Sequence, residues 1–195
     1  MSKKFRYAIT FFIVLILGGT IGFYIMKNQT KSLSPEETIT YRHDNLKVNV
    51  FYNRPYKKKR EIFGNLVPYN KVWRTGANEA TTFKVNQDIM VDGSLLEAGE
   101  YTLWTIPNKD SWKVIFNKKM YAWGIDLTTE DAARDPDYDA LTIEVPAREK
   151  LNVTEQFTIY FDRQQEMHML FLTWDKTFIA IPFNKSRGVD TSTEV

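Results

Sequence analysis

Four side chains with binding chemistry crowd into one short stretch, VPYNKVWRTGANEATT, from Val67 to Thr82. Trp73, Arg74, Asn78 and Glu79 surround the turn Thr75-Gly76-Ala77. Gly76 lets the backbone turn tightly. Arginine offers a planar fork of donors, asparagine a donor and an acceptor, and glutamate a pair of acceptors. A tryptophan face suits a sugar ring or a stacked guanidinium. The set fits a loop that grips a polar ligand. It equally fits an Arg74–Glu79 ion pair that fastens the loop over a core. Arg54 lies upstream, while Asn117 ends an expected strand beside Lys118 and Lys119, with Trp123 and Gly124 close behind. These residues are further candidates for the same cleft. The run Lys57-Lys58-Lys59-Arg60 has the charge to hold a phosphate or an acidic glycan, and also the composition of a solvated loop.

Several enzyme chemistries lack their parts. There is no G-x-S-x-G elbow and no glycine-rich phosphate loop. The two histidines, His43 and His168, have no metal-ligand spacing. The absence of cysteine removes disulfides, thiol catalysis and thiolate metal sites. Asp135, Asp137 and Asp139 mimic the first half of a calcium loop, but Ala140 replaces the required glycine and Pro146 stands at the closing glutamate position. No metal or cofactor is expected. A glycosidase needs two facing carboxylates, and Glu79 has no identifiable partner. The remaining enzyme reading is a hydrolase with Glu79 as acid or base and Arg74 holding an anionic substrate group.

The elements that must position these residues are short β-strands. LKVNVFY alternates apolar and polar side chains from Leu46 to Tyr52. ATTFKV (80–85) and DIMV (88–91) follow, and Asp92-Gly93 is a two-residue hairpin signal before SLL. EYTLWTIP (100–107) and SWKVIFN (111–117) flank a second hairpin at Asn108-Lys109-Asp110. LTIEV (141–145), QFTIYF (156–161), MLFLTW (169–174) and TFIAIPF (177–183) complete the set, the last two joined by a tight turn at Asp175-Lys176. This spacing predicts an all-β domain, an antiparallel sandwich or jelly-roll. One short helix is expected near Thr128 to Ala133, where TTEDAA offers a threonine cap and an acidic first turn.

Ahead of the strands, Tyr7 to Met26 form 20 uncharged, mostly apolar positions behind the basic head MSKKFR. At about 1.5 Å per residue such a helix spans roughly 30 Å, the hydrocarbon thickness of a bilayer. The expected organisation is a head at 1–6, a transmembrane signal-anchor at 7–26, a polar tether at 27–40, a β domain at 41–183 and a disordered tail at 184–195. Lys3, Lys4 and Arg6 favour a cytoplasmic head and an extracytoplasmic, periplasmic domain. Gly18 and Gly22 form a GxxxG pair that could bring two anchors together. The first 26 residues carry three basic residues and no acid, so the overall net charge of +2 leaves the remainder at −1. This is not the basic surface of a nucleic-acid binder.

The runs RPYKKKREIFGNLVPYNKVWRTGANEATTFKV and LEAGEYTLWTIPNKDSWKVIFNKKMYAWG resemble the bacterial family called domain of unknown function 2911. The resemblance covers roughly Val48 to Phe183. Its recurrent motif positions match here as Arg54, Pro55, Gly64, Val67, Pro68, Trp73, Arg74, Gly76, Asn78, Glu79, Gly99, Tyr101, Asn117 and Trp123. It implies an exported bacterial protein and transfers no catalytic residue, since the family has no established activity. The TTEDAARDPDYDA stretch is longer than the family's usual connection, so no shared site is expected there. Together these features predict a membrane-anchored, extracytoplasmic β-sandwich that binds a polar ligand such as a glycan or envelope component. A hydrolase and a structural envelope protein are the alternatives.

Overall fold

A computed structural model of the chain describes residues 3–126, 128–164 and 166–186. The expected disordered tail lies outside the described residues from 187 onward. The apolar run forms part of one helix, α1, Lys3–Leu33. By length and composition α1 can cross a bilayer. Its described side chains from Tyr7 to Met26 are all exposed to the surroundings, as they would be in lipid.

The rest is antiparallel β-sheet. The strands are β1 (Glu36–His43), β2 (Leu46–Asn53), β3 (Thr81–Val85), β4 (Ile89–Val91), β5 (Ser94–Leu96), β6 (Gly99–Pro107), β7 (Ser111–Asn117), β8 (Asp139–Gln164) and β9 (Met167–Lys185). Their hydrogen-bonded order is β1-β2-β3-β6-β7-β8-β9-β4-β5. β8 belongs to both halves of this sheet: its first part, through Pro146, pairs with β7, and from Ala147 onward it pairs with β9. Side chains of both halves, among them Val48, Phe83, Trp112, Phe157, Leu172 and Ile179, fill one apolar cluster. Such packing fits a sandwich or jelly-roll. The Tyr52 hydroxyl ties β2 to the far part of β8, donating to the Ile159 carbonyl at 3.2 Å and accepting from the Ile159 N–H at 3.0 Å.

Three local expectations differ from the structure. The tether at 27–40 is a continuation of α1 followed by strand β1. Glu36 to Thr40 pair with Asn53 to Asn49 of β2, and Ile39 and Tyr41 pack on the core. The alternation in EETITYRH is present, but its polar residues disguise it. The helix stops before Pro35, which cannot donate a helical hydrogen bond; its carbonyl accepts instead from the Arg54 N–H at 2.8 Å.

Four expected strands are two long ones. Asp175-Lys176 is not a hairpin but an irregularity inside β9. Asp175 takes φ 53° there, opposite the part of β8 where the pairing register shifts. An inserted residue bends a strand without ending it, and turn-type residues are the ones that tolerate the bend.

The expected helix near Thr128 to Ala133 is a turn. Ile125 and Ala132 bridge across it, and Asp126 accepts the Thr128 N–H at 2.7 Å. Six residues make too few helical hydrogen bonds to offset nucleation.

Candidate functional site

The 67–82 segment is held from inside by its tryptophan. Trp73 and Thr105 exchange backbone hydrogen bonds of 2.7 and 3.0 Å, which fix the segment against β6. The Trp73 indole N–H donates to the Gly76 carbonyl at 3.0 Å and closes the loop on itself. The ring packs among Phe63, Trp112, Phe157 and Trp174, stacked on the last at 6.1 Å between centroids. Trp73 is thus a part of the core whose edge reaches the surface. Thr75 and Asn78 both adopt left-handed backbone, φ 55° and 57°. Gly76 has φ 152°, and a Cβ there would sit 2.8 Å from the Asn53 carbonyl oxygen. Only glycine allows that approach. The Thr81 hydroxyl donates to the Thr75 carbonyl at 2.7 Å, and Asn78 Nδ2 donates to Asn53 Oδ1 at 3.3 Å.

This rigid turn delivers Arg74 to a cavity of about 760 Å³. The arginine stem lies across the Gly124 backbone. Its Nε is buried with no hydrogen-bond partner, and no ion pair to Arg74 exists among the described residues. Burial holds its pKa below the usual arginine value. Arginine nonetheless keeps its proton in proteins. A cation that is partly withdrawn from water without a counter-charge carries a cost that a bound anion would offset. Lys58, Arg60 and Lys71 add positive charge to the same cavity, and Glu130 and Asp131 add negative charge. Val67, Val72, Trp73 and Ile125 form its apolar wall, and Thr30, Leu33 and Ser34 at the end of α1 complete it.

Glu79 does not pair with Arg74. Its carboxylate faces α1, with Oε1 3.3 Å from Lys31 Nζ and 3.5 Å from Lys27 Nζ, and Oε2 accepts from Asn53 Nδ2 at 3.2 Å. Burial alone would raise its pKa, but its own backbone N–H, the Lys31 charge and the Asn53 amide outweigh burial and hold it below the ordinary value. The residue is an ionised clasp between helix and loop.

The other candidates scatter. Arg54, just past the end of β2, joins two strands: Nη1 lies 3.1 Å from Glu37 on β1, while Nε and Nη2 donate to the Phe157 carbonyl and the Thr158 hydroxyl on β8. Asn117 is fully buried. Its Nδ2 donates to the Asp135 carbonyl and to Asp139 Oδ1, and its Oδ1 accepts from the Lys119 N–H and the Tyr121 hydroxyl. It anchors the loop that leads into β8. Asp135 and Asp139 serve the same loop by pairing with Lys119 and Arg134. Trp123 is half-buried and does not line the cavity. Of the residues singled out from sequence, Trp73, Arg74 and Asn78 line the cavity together, and Lys58 and Arg60 of the basic run join them.

Residues 34–183 match the family described as protein of unknown function (DUF2911). The chain belongs to this family. Comparison with curated proteins and with solved structures finds no match. The DUF2911 match begins at Ser34, where α1 has just ended, and takes in β1 as well as the WRTGANEAT loop. Within the DUF2911 domain the cavity also draws on Glu130, Asp131 and Ala132, from the stretch where no shared site was expected. Lys71 and Leu66 were missed as well. Their signal is position: both flank Val67-Pro68 in the same block as Trp73 and Arg74.

A second polar cluster of the DUF2911 domain joins the two histidines. Their rings lie 4.7 Å apart. The Tyr41 hydroxyl lies 2.6 Å from His168 Nδ1, and Arg163 Nη1 lies 3.2 Å from His43 Nε2. Burial, then the neighbouring His43, Arg163 and Lys185, holds the His168 pKa below the ordinary histidine value, with Glu166 opposing.

Proposed function

We propose that this protein is a membrane-tethered binding domain whose cavity takes the anionic group of a polar ligand. The observation that carries this reading is Arg74: a half-buried guanidinium whose Nε has no hydrogen-bond partner, with no ion pair among the described residues, fixed by a glycine-dependent turn at a cavity wall. An anion there would receive a planar fork of donors in a partly dehydrated setting, where charged hydrogen bonds are strongest. Asn78 supplies a polar neighbour, and Trp73 and Trp174 supply an apolar wall. An acidic glycan or another envelope component is the ligand class these contacts favour. The basic residues Lys3, Lys4 and Arg6 ahead of the apolar run and the exported character of similar bacterial proteins support an extracytoplasmic domain, anchored through residues 7–26. The engagement of Glu79 with Lys27 and Lys31 leaves it outside the cavity, which favours binding over hydrolysis by that residue.

The test is a titration of the full chain in nanodiscs of neutral lipid, followed by tryptophan fluorescence. The probes are glycerol 1-phosphate and an oligosaccharide of uronic acids. A saturable change that disappears in Arg74→Gln, with the melting temperature retained, is the expected result. No saturable response to either anion would overturn the reading.

A further inference from the structure

We infer that the anion bound by Arg74 is the phosphate-bearing headgroup of a lipid in the bilayer that α1 enters. This rests on the reading of the cavity as an anion site and names where the anion comes from.

Three observations carry it. The first is distance. Thr30, Leu33 and Ser34 form one wall of the cavity, four to eight residues beyond Met26, the last residue of the apolar run. On a helix that places the wall about 6–12 Å above the hydrocarbon. The headgroup layer of one leaflet is itself roughly 5–8 Å deep. The cavity therefore opens at or just above headgroup level.

The second is the character of the rim. Leu33 is 54% exposed and Leu66 is 42% exposed, and both line the cavity. A site for a free phosphate or sugar gains nothing from exposed leucines. A site for an amphiphile gains apolar contact for the glycerol backbone and the first methylenes of the chains.

The third is charge. Lys27 and Lys31 are engaged by Glu79, and Lys31 also by Glu36. Lys58 and Lys71 have no ion pair among the described residues, and with Arg60 and Arg74 they set four cations against the two carboxylates of Glu130 and Asp131 on the cavity lining, which leaves it net positive beside the helix end. Basic residues next to a spanning helix attract anionic lipid, and a pocket among them selects a headgroup.

The experiment is native mass spectrometry of the full chain released from nanodiscs of mixed phosphatidylglycerol and phosphatidylcholine. One phosphatidylglycerol should be retained in preference to phosphatidylcholine. Arg74→Gln should lose that preference at least about tenfold, and Lys84→Gln, on an exposed strand position paired with Glu100, should keep it. The double variant Lys58→Gln/Lys71→Gln alters only exposed side chains, so it should fold and should weaken retention even if Arg74→Gln does not fold. Glycerol 1-phosphate should displace the retained lipid. Equal retention by wild type and both cavity variants, or no preference between the lipids, would overturn the lipid assignment. In that event a glycerol 1-phosphate response through Arg74 in neutral discs would leave the anion site standing with a soluble ligand, and loss of that response too would remove both.

Discussion

A Cβ placed on Gly124 would lie 2.3 Å from Cδ of Arg74 and 2.8 Å from its Cβ. The Gly124 N–H also donates to the Asn78 carbonyl at 2.9 Å. The backbone at 124 therefore supports the arginine from below and fastens the far end of the turn that carries it. Gly124→Ala must push the arginine stem away. Overpacking of this kind costs about 1–3 kcal/mol. We expect a lower melting temperature for Gly124→Ala, partly restored in the Arg74→Ala background, where Cγ and Cδ are gone. Strict additivity of the two changes in thermal melts would show that the contact is not made.

The Glu79 clasp predicts a difference at acid pH. Its folded-state pKa lies below the ordinary 4.5. A carboxyl with a depressed pKa contributes stability above its unfolded pKa and loses it as pH falls through the folded value. Melting temperatures of the full chain should therefore drop between pH 5 and pH 3, and Glu79→Gln should drop less over that window. Parallel curves for the two proteins would remove the clasp as a source of the acid sensitivity.

His168 acts in a higher window with the same sign. Its pKa is held below the ordinary 6.5, so the folded state resists a proton that the unfolded chain accepts. Stability is fully present above the unfolded value and declines as pH falls through 6.5 toward the folded one. The wild type should soften between pH 7.5 and 5.5, and His168→Gln should flatten that slope. Chemical denaturation at the two pH values measures it, and an unchanged slope would rule out His168.

Asn117→Ala removes an amide that serves four partners on one loop. A buried group left without its partner costs about 1–3 kcal/mol. The variant should lose at least that much in urea unfolding, and proteolysis should begin between Lys118 and Tyr138. Arg74→Gln should leave that loop protected, because no hydrogen bond joins Arg74 to it among the described residues. Equal protection in both variants would show that Asn117 is not the anchor.

Strand β2 is legible from sequence because one face is buried and its side chains alternate, and β6 and β7 are legible as apolar and aromatic runs on either side of a hairpin signal, with residues buried on both faces. β1 is not, because its inward pair, Ile39 and Tyr41, is set among threonine and charge. The two long strands are hidden by Pro146 and Asp175-Lys176, residues that mark turns locally but here sit where a strand bends. At the site, the crowding of Trp73, Arg74 and Asn78 is visible in sequence because one glycine turn holds all three. The partner of Glu79 is not: Lys27 and Lys31 read as residues flanking a membrane helix, and only the three-dimensional packing brings that helix end to the loop. Arg54 and Asn117 carry ligand-like chemistry, but their acceptors come from β8 and the loop before it, far along the chain.

The bond between Tyr52 and Ile159 has a temporal consequence. The two residues are 107 positions apart. A ribosome adding roughly 5–20 residues per second needs about 5–20 s to cover that interval. During that time β1, β2, β3, β6 and β7 emerge and can pair, and Glu37 of β1 accepts from the Tyr52 hydroxyl at 2.6 Å, but the far part of β8 is still missing. The Arg74 turn is then also incomplete, because Gly124 comes 50 positions later than Arg74. The helix long and apolar enough to cross a bilayer is thus made well before the cavity can form, and every newly made copy passes through an unfinished interval. The half of the sheet built on β9, with which β4 and the far part of β8 pair, is the last to be completed.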